Sequence, residues 1–179
     1  MYPYNRKTQL YNTPIRAKER TNNRNNQTDL STDRRLQELL QLARQDAAAL
    51  ERKYTALLQE EILKGAEDVL KTMETDSRKH QRILREILFT IFSDTFEGIL
   101  EELTDIDMEK KDVEDLLEEL LFTEMDDITF YRNLLSAMAA DDLEGDLWGL
   151  IFEIITDKQN HTAALNHLYA KYFAKTSGN

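Results

Sequence analysis

Residues Met73-Glu74-Thr75-Asp76-Ser77-Arg78-Lys79-His80, followed by Leu84, and residues Ile154-Ile155-Thr156-Asp157-Lys158-Gln159-Asn160-His161, followed by Leu165, are two versions of one pattern. Threonine, aspartate, histidine and leucine recur in the same register. Upstream, Lys53-Tyr54 with Leu57-Leu58 matches Phe130-Tyr131 with Leu134-Leu135. The chain therefore contains two related halves. Around both copies the apolar residues recur at alternating steps of three and four, the spacing that gathers them on one side of an α-helix.

Working outward, this periodicity predicts four long helices. Helix A runs from about Thr32 to Leu63, with Leu36, Leu40, Ala43, Ala47, Leu50, Tyr54 and Leu57 on one face and Ser31, Thr32 or Asp33 as its cap. Helix B follows Gly65 and carries Leu70, Met73, Ser77, His80, Leu84, Ile87 and Ile91. Helix C, from about Lys111 to Ala139, carries Leu117, Leu121, Glu124, Ile128, Tyr131, Leu135 and Met138. Helix D follows Asp141 to Gly145 and carries Leu147, Ile151, Ile154, Lys158, His161, Leu165, Leu168 and Tyr172. The expected fold is all-α: an antiparallel four-helix bundle made of two related helical hairpins. The stretch from Ser93 to Lys110 joins them, with a short helix at Phe96–Leu103. It reaches roughly 45 Å, enough for a crossover along the length of a long helix.

Composition agrees and narrows the chemistry. The 179 residues suit one domain, and the balance of 41% apolar to 32% charged residues is that of a soluble globular chain. Both prolines, Pro3 and Pro14, lie near the N-terminus, and valine occurs only at Val69 and Val113, so helix breakers and strand formers are scarce. No apolar run has the length of a membrane span or a secretory signal, so the reading is a cytoplasmic protein without a membrane partner. With no cysteine, disulfides, thiolate metal sites, iron–sulfur clusters and cysteine nucleophiles are excluded. The five glycines are isolated, and no phosphate loop or serine nucleophile motif is present.

The net charge of −11 is unevenly spread. Residues 1–30 carry Arg6, Lys7, Arg16, Lys18, Arg20 and Arg24 against Glu19 and Asp29, a balance of +4 that leaves −15 on the remainder. This segment, rich in asparagine and poor in apolar residues, reads as a flexible basic tail, with the bundle at 31–175 and a short C-terminal tail at 176–179. An acidic body repels phosphate, so no nucleic-acid partner is expected. Tyr2, Pro3, Tyr4 and Tyr11 offer the tail as a docking segment for a partner or a second subunit. Phe89, Phe92, Phe96 and Trp148 are candidates for an outer face that forms a homodimer, or for core.

The informative residues are the polar ones on the buried faces: Ser77 and His80 on helix B, Glu124 on helix C, Lys158 and His161 on helix D. A buried charge is costly unless it is paired or bound to a metal. The repeat makes His80 equivalent to His161, Ser77 to Lys158, and Ala47 to Glu124. Asp76 and Asp157 each lie four residues before a histidine and are either substitute ligands or, more plainly, residues that cap or pair locally. Tyr54 and Tyr131 read first as packing, and His167 has no assigned role.

Glu153 to His161 with Leu165, Leu168 and Tyr169, Phe122-Thr123-Glu124 with Phe130-Tyr131-Arg132, and the opening Met1-Tyr2-Pro3-Tyr4 resemble the ferritin-like superfamily, most closely the small rubrerythrin-related proteins of spore-forming bacteria. The resemblance covers about Asp33 to Phe173. It implies a site for two metals, iron or manganese, held by one Glu from each of helices A and C and by a Glu-x-x-His pair from each of B and D. Carried over, it puts Glu124, His80 and His161 at ligand positions, and Ala47, Ser77 and Lys158 where three carboxylates should stand. Two bound cations need several negative charges, so the ordinary site is expected to be lost. The Lys158 ammonium is expected to pair with Glu124 and supply the positive charge that metal would bring.

The leading expectation is a ferritin-like bundle with an eroded metal site, no cofactor and no catalytic residues, acting as a structural or interaction protein, and spore-associated if the resemblance extends that far. A second reading holds one iron or manganese ion through His80, Glu124 and His161 with Asp76 or Asp157. A third is a di-iron oxidase or peroxidase of rubrerythrin type.

Overall fold

The computed structural model describes residues 26–92, 112–140 and 146–173. The tail before residue 26, the joining stretch with its expected helix at Phe96–Leu103, and the C-terminal tail lie outside the described residues. Four α-helices account for nearly all of the rest: α1 (Asn26–Leu57), α2 (Glu67–Phe92), α3 (Val113–Ala140) and α4 (Asp146–Tyr172). No strand occurs among the described residues. No helix among them is long and apolar enough to cross a membrane.

Two boundaries differ from the sequence reading. Helix α1 begins at Asn26, so Ser31, Thr32 and Asp33 lie inside it and are not its cap. Nothing between Pro14 and Gly65 breaks a helix, and a run without glycine or proline can wind back past a good capping residue. At the other end α1 stops at Leu57 instead of Leu63. Its last turn tightens, with the amides of Gln59 and Glu60 donating to the carbonyls of Ala56 and Leu57, and a single 3₁₀ turn (Glu61–Leu63) follows. That turn returns Leu63 to the core, where it is buried. Gly65, at φ +92°, then makes the left-handed step that a side chain would resist, and its amide donates to the Glu67 carboxylate at 2.7 Å.

Helices α1 and α2 pack extensively against each other, as do α3 and α4, while α2 meets α4 and α1 meets α3 along thinner seams. The interior divides into two apolar cores. One gathers Leu36 to Ala47 of α1, Ile83 to Phe92 of α2, Phe130 to Met138 of α3 and Ile151 to Ile155 of α4. The other gathers Leu50 to Leu57, Leu63, Leu70, Met73, Leu116 to Leu120, Leu165 and Leu168. Each fully buried leucine contributes about 1.5–3 kcal/mol through removal from water. Between the cores lies a layer of buried polar side chains. Phe92 belongs to the first core, whereas Phe89 and Trp148 are exposed; Phe96 lies outside the described residues.

Candidate functional site: a buried ion-pair layer

The polar layer is built from three pairs of residues, each pair three apart and therefore on one side of its helix. Helix α2 supplies Ser77 and His80, α3 supplies Glu124 and Asp127, and α4 supplies Lys158 and His161; all six are buried. Helix α1 contributes the methyl group of Ala47 and the phenol of Tyr54, which is fully enclosed.

Lys158 occupies the centre. Its Nζ lies 3.0 Å from Glu124 Oε2 and 2.9 Å from Asp127 Oδ2, ion-pair contacts made at 1% exposure of the lysine. The other oxygen of Glu124 accepts a 2.6 Å hydrogen bond from the Tyr54 hydroxyl and lies 3.3 Å from His161 Nδ1. Burial pushes the Glu124 carboxyl up, but the Lys158 ammonium and the contacts from His161 and Tyr54 outweigh it and bring it down to about 2. For Lys158 burial favours loss of the proton, and the two carboxylates more than reverse this, so its ammonium is held above the ordinary lysine value. Tyr54 is pushed well above the ordinary phenol value by burial and by the Glu124 charge.

Around this centre the two copies of the sequence pattern interlock crosswise. His80 Nε2 of α2 lies 3.0 Å from Asp157 Oδ2 of α4, and His161 Nε2 of α4 lies 3.1 Å from Asp76 Oδ2 of α2. The rings stand 6.2 Å apart. Asp76 and Asp157 each turn to the histidine of the opposite helix, and Asp76 also pairs locally, as the plainer sequence reading has it, with Lys79 on its own helix. Lys79 closes the outer side, with Nζ 2.6 Å from Asp157, 3.2 Å from Glu153 and 3.4 Å from Asp76. Hydrogen bonds from His80 and Lys79 hold Asp157 at about 2 against a smaller upward effect of burial. His80 is lowered from the ordinary imidazole value, chiefly by burial. An ionised carboxylate can only accept, so His80 carries its proton on Nε2 and directs the Nδ1 lone pair inward. That Nδ1 and the Ser77 hydroxyl have no hydrogen-bond partner among the described residues.

The arrangement brings together His80, Glu124, His161, Asp76, Asp157 and Lys158. It adds Asp127, which the sequence pattern does not single out, and gives Tyr54, which reads first as packing, a polar contact with Glu124. It does not fit two metal ions. Of the four positions at which the resemblance implies carboxylates, Ala47, Ser77 and Lys158 offer none, and Glu124 already faces an ammonium at 3.0 Å. Among the described residues no three His, Asp or Glu side chains converge so as to hold an ion. His167 is exposed at the end of α4 and takes no part.

Comparison of the chain with protein-family models, with curated proteins and with solved structures found no match.

Proposed function

We propose that this chain is a four-helix bundle on the ferritin-like plan in which an internal ion-pair layer has replaced the two metals, and that it works as a structural or interaction protein through its surface. The observation that carries the reading is Lys158, whose ammonium sits buried between Glu124 and Asp127 at the centre of the interior. Two further features support the plan. Asp76 and Asp157 hold the outer nitrogens of His161 and His80, the way a carboxylate orients a metal-binding histidine from behind. Phe92, at the end of α2, packs in one core and Val113, at the start of α3, against the other, which suits two antiparallel hairpins joined by a connection between opposite ends. For a surface role the support is the set of large apolar side chains left outside, with Phe152 at 61% exposure and Phe89 at 57%.

The test is elemental analysis of the purified chain before and after loading with iron(II) and with manganese(II), alongside circular dichroism of the metal-free protein. The expected result is a folded protein that loses both metals on desalting. Near-stoichiometric retention of either metal overturns the proposal and returns the oxidase reading.

A further inference from the structure

We propose that the depression on the outer face of α2, beside Arg44 of α1, binds a small organic phosphate: a phosphate monoester on an apolar body of about one ring, its phosphate held by Arg82, Arg85 and Arg44 and its body resting on Phe89. The site lies on the surface and uses none of the residues of the buried layer, so it stands or falls apart from the metal-free reading of the interior.

The chain carries 34 acidic residues against 23 basic ones, so carboxylates are plentiful around any arginine on its surface. Arg34 meets Glu38 at 3.1 Å, and Arg78 meets Glu51 at 2.8 Å. Two helical turns after Arg78 on α2, and two turns before Glu51 on α1, the pattern reverses: Arg85 and Arg44 come within reach of each other's charge. The Arg44 guanidinium is held below its ordinary value, first by burial and then by Arg85. The local sequence explains why nothing neutralises them. Residues three and four apart are neighbours on a helix, and none of the residues in those positions around Arg44 and Arg85 is acidic. Arg82 has Glu86 four residues on, yet among the described residues none of the three guanidiniums lies at ion-pair distance from a carboxylate. Nor do Arg82 and Arg85 serve the end of the helix, since α2 has no basic residue in its last turn, where a cation would meet the free carbonyls. Like charges held together raise the energy of the folded chain until an anion joins them.

The shape of the surface says which anion. Arg82, Arg85, Glu86 and Phe89 fall on one side of α2 and line a depression of about 340 Å³, mostly apolar in its walls. That is at the small end of the range for small-molecule sites, with room for a phosphate and about one ring. Three guanidiniums against the single Glu86 carboxylate leave a balance of +2. A phosphate monoester brings about −1.5 to −2 at neutral pH and matches that balance, whereas a carboxylate brings one charge. The guanidinium fork also presents its N–H groups in pairs to phosphate oxygens and keeps its charge at every physiological pH. The arginine stems and the Phe89 ring then cover the apolar body.

The experiment titrates the full chain with phenyl phosphate by isothermal calorimetry, with inorganic phosphate and phenol as the head and the body alone. The expected result is saturable binding of one phenyl phosphate per chain, at least about tenfold tighter than inorganic phosphate and weakened by added sodium chloride. Arg82→Gln combined with Arg85→Gln should weaken it at least about tenfold, and Arg85→Lys by less, because lysine keeps the charge and loses the fork. Phe89→Ala should bring phenyl phosphate down to the level of inorganic phosphate, and Glu86→Gln should tighten both. These side chains are all exposed, so the variants should keep the helical signal of the natural chain. Phenyl phosphate held no more tightly than inorganic phosphate means an adventitious ion only and overturns the proposal. Binding unchanged by the paired arginine substitutions overturns it, as does the lack of saturable binding at millimolar concentration. Binding that appears only after Glu97, Glu101 and Glu102 are changed to glutamine overturns it too, because the chain's own acidic stretch is then what holds the arginines.

Discussion

Replacing Lys158 with methionine removes the ammonium and keeps nearly the length and apolar character of its stem. Glu124, at 0% exposure, and Asp127, at 2%, are then left as buried carboxylates without their cation. Breaking a buried pair from one side costs about 3–5 kcal/mol, which for a domain of this size lowers Tm by about 10–20 °C. The loss should depend on pH in a defined direction. In the natural chain Glu124 sits at about 2, below its ordinary 4.5, so its contribution is present above 4.5 and is lost as pH falls toward 2. In Lys158→Met the ammonium's attraction is gone, burial acts against the contacts from His161 and Tyr54 that remain, and the Glu124 carboxyl rises from about 2. With a smaller downward shift in the variant, Glu124 contributes less stability above 4.5, and less is lost as pH falls toward 2. The gap between the two proteins should be widest near neutrality and narrow toward acid. Urea unfolding followed by circular dichroism at several pH values, with chelator present, measures both quantities. A loss below about 1 kcal/mol at neutral pH with an unchanged denaturant slope, or a gap that does not vary with pH, would refute the reasoning. Adding Glu124→Gln to Lys158→Met should recover part of the loss, because one uncompensated charge is removed with it.

Three other expectations follow from the same layer and from the turn before α2. His80 is lowered from its ordinary 6.5, so the unfolded chain takes up that proton first and the contribution of His80 to stability falls as pH drops below 6.5; the urea midpoint should decline between about pH 7.5 and 5.5, and the decline should be shallower in His80→Gln. Tyr54→Phe removes the 2.6 Å hydrogen bond to Glu124 and should cost about 1.5–3 kcal/mol in thermal or urea unfolding, with equal stability speaking against a charged Glu124. Gly65→Ala places a methyl group at φ +92°, where the nearest atom, the Tyr172 hydroxyl, is 3.8 Å away; the cost is therefore conformational, about 1–2 kcal/mol, and a calorimetric Tm unchanged by the substitution would count against the left-handed turn.

The all-helical architecture is legible because apolar residues at steps of three and four decide it locally, helix by helix, and the repeated Thr-Asp-x-x-x-His pattern marks which helices correspond. The sequence reading puts Leu117, Glu124, Tyr131, Leu135 and Met138 on the buried side of α3, where they are found, but it includes Leu121 and Ile128, which are only partly buried, and leaves out Leu120, Asp127 and Leu134. Asp127 belongs to that side by spacing alone. A charged residue there reads as surface until the lysine that neutralises it is placed on the facing helix. The crossing of Asp76 with His161 and of Asp157 with His80 was not legible for another reason. Within each helix the two residues are four apart and share a side, and only the relative sliding of α2 against α4 decides whether each aspartate meets its own histidine or the other. The start of α1 escaped because capping preference is worth about 1 kcal/mol, too little to stop a helix in a stretch that contains no breaker.

The equivalence of Ser77 with Lys158, and of Ala47 and Leu50 with Glu124 and Asp127, gives the two halves unequal shares of charge. The second half brings two carboxylates and an ammonium to the middle layer, and the first brings a hydroxyl, a methyl group and a leucine at the same places. Two copies of the second half pairing with each other would confine four carboxylates and two ammoniums in one dry layer, with like charges brought close. Two copies of the first would leave the paired hydroxyls and imidazoles without a charged partner. Only an unlike pair places one set of charges against a small neutral surface. Halves similar enough in shape to pair with their own kind are thus sorted by electrostatics into unlike pairs.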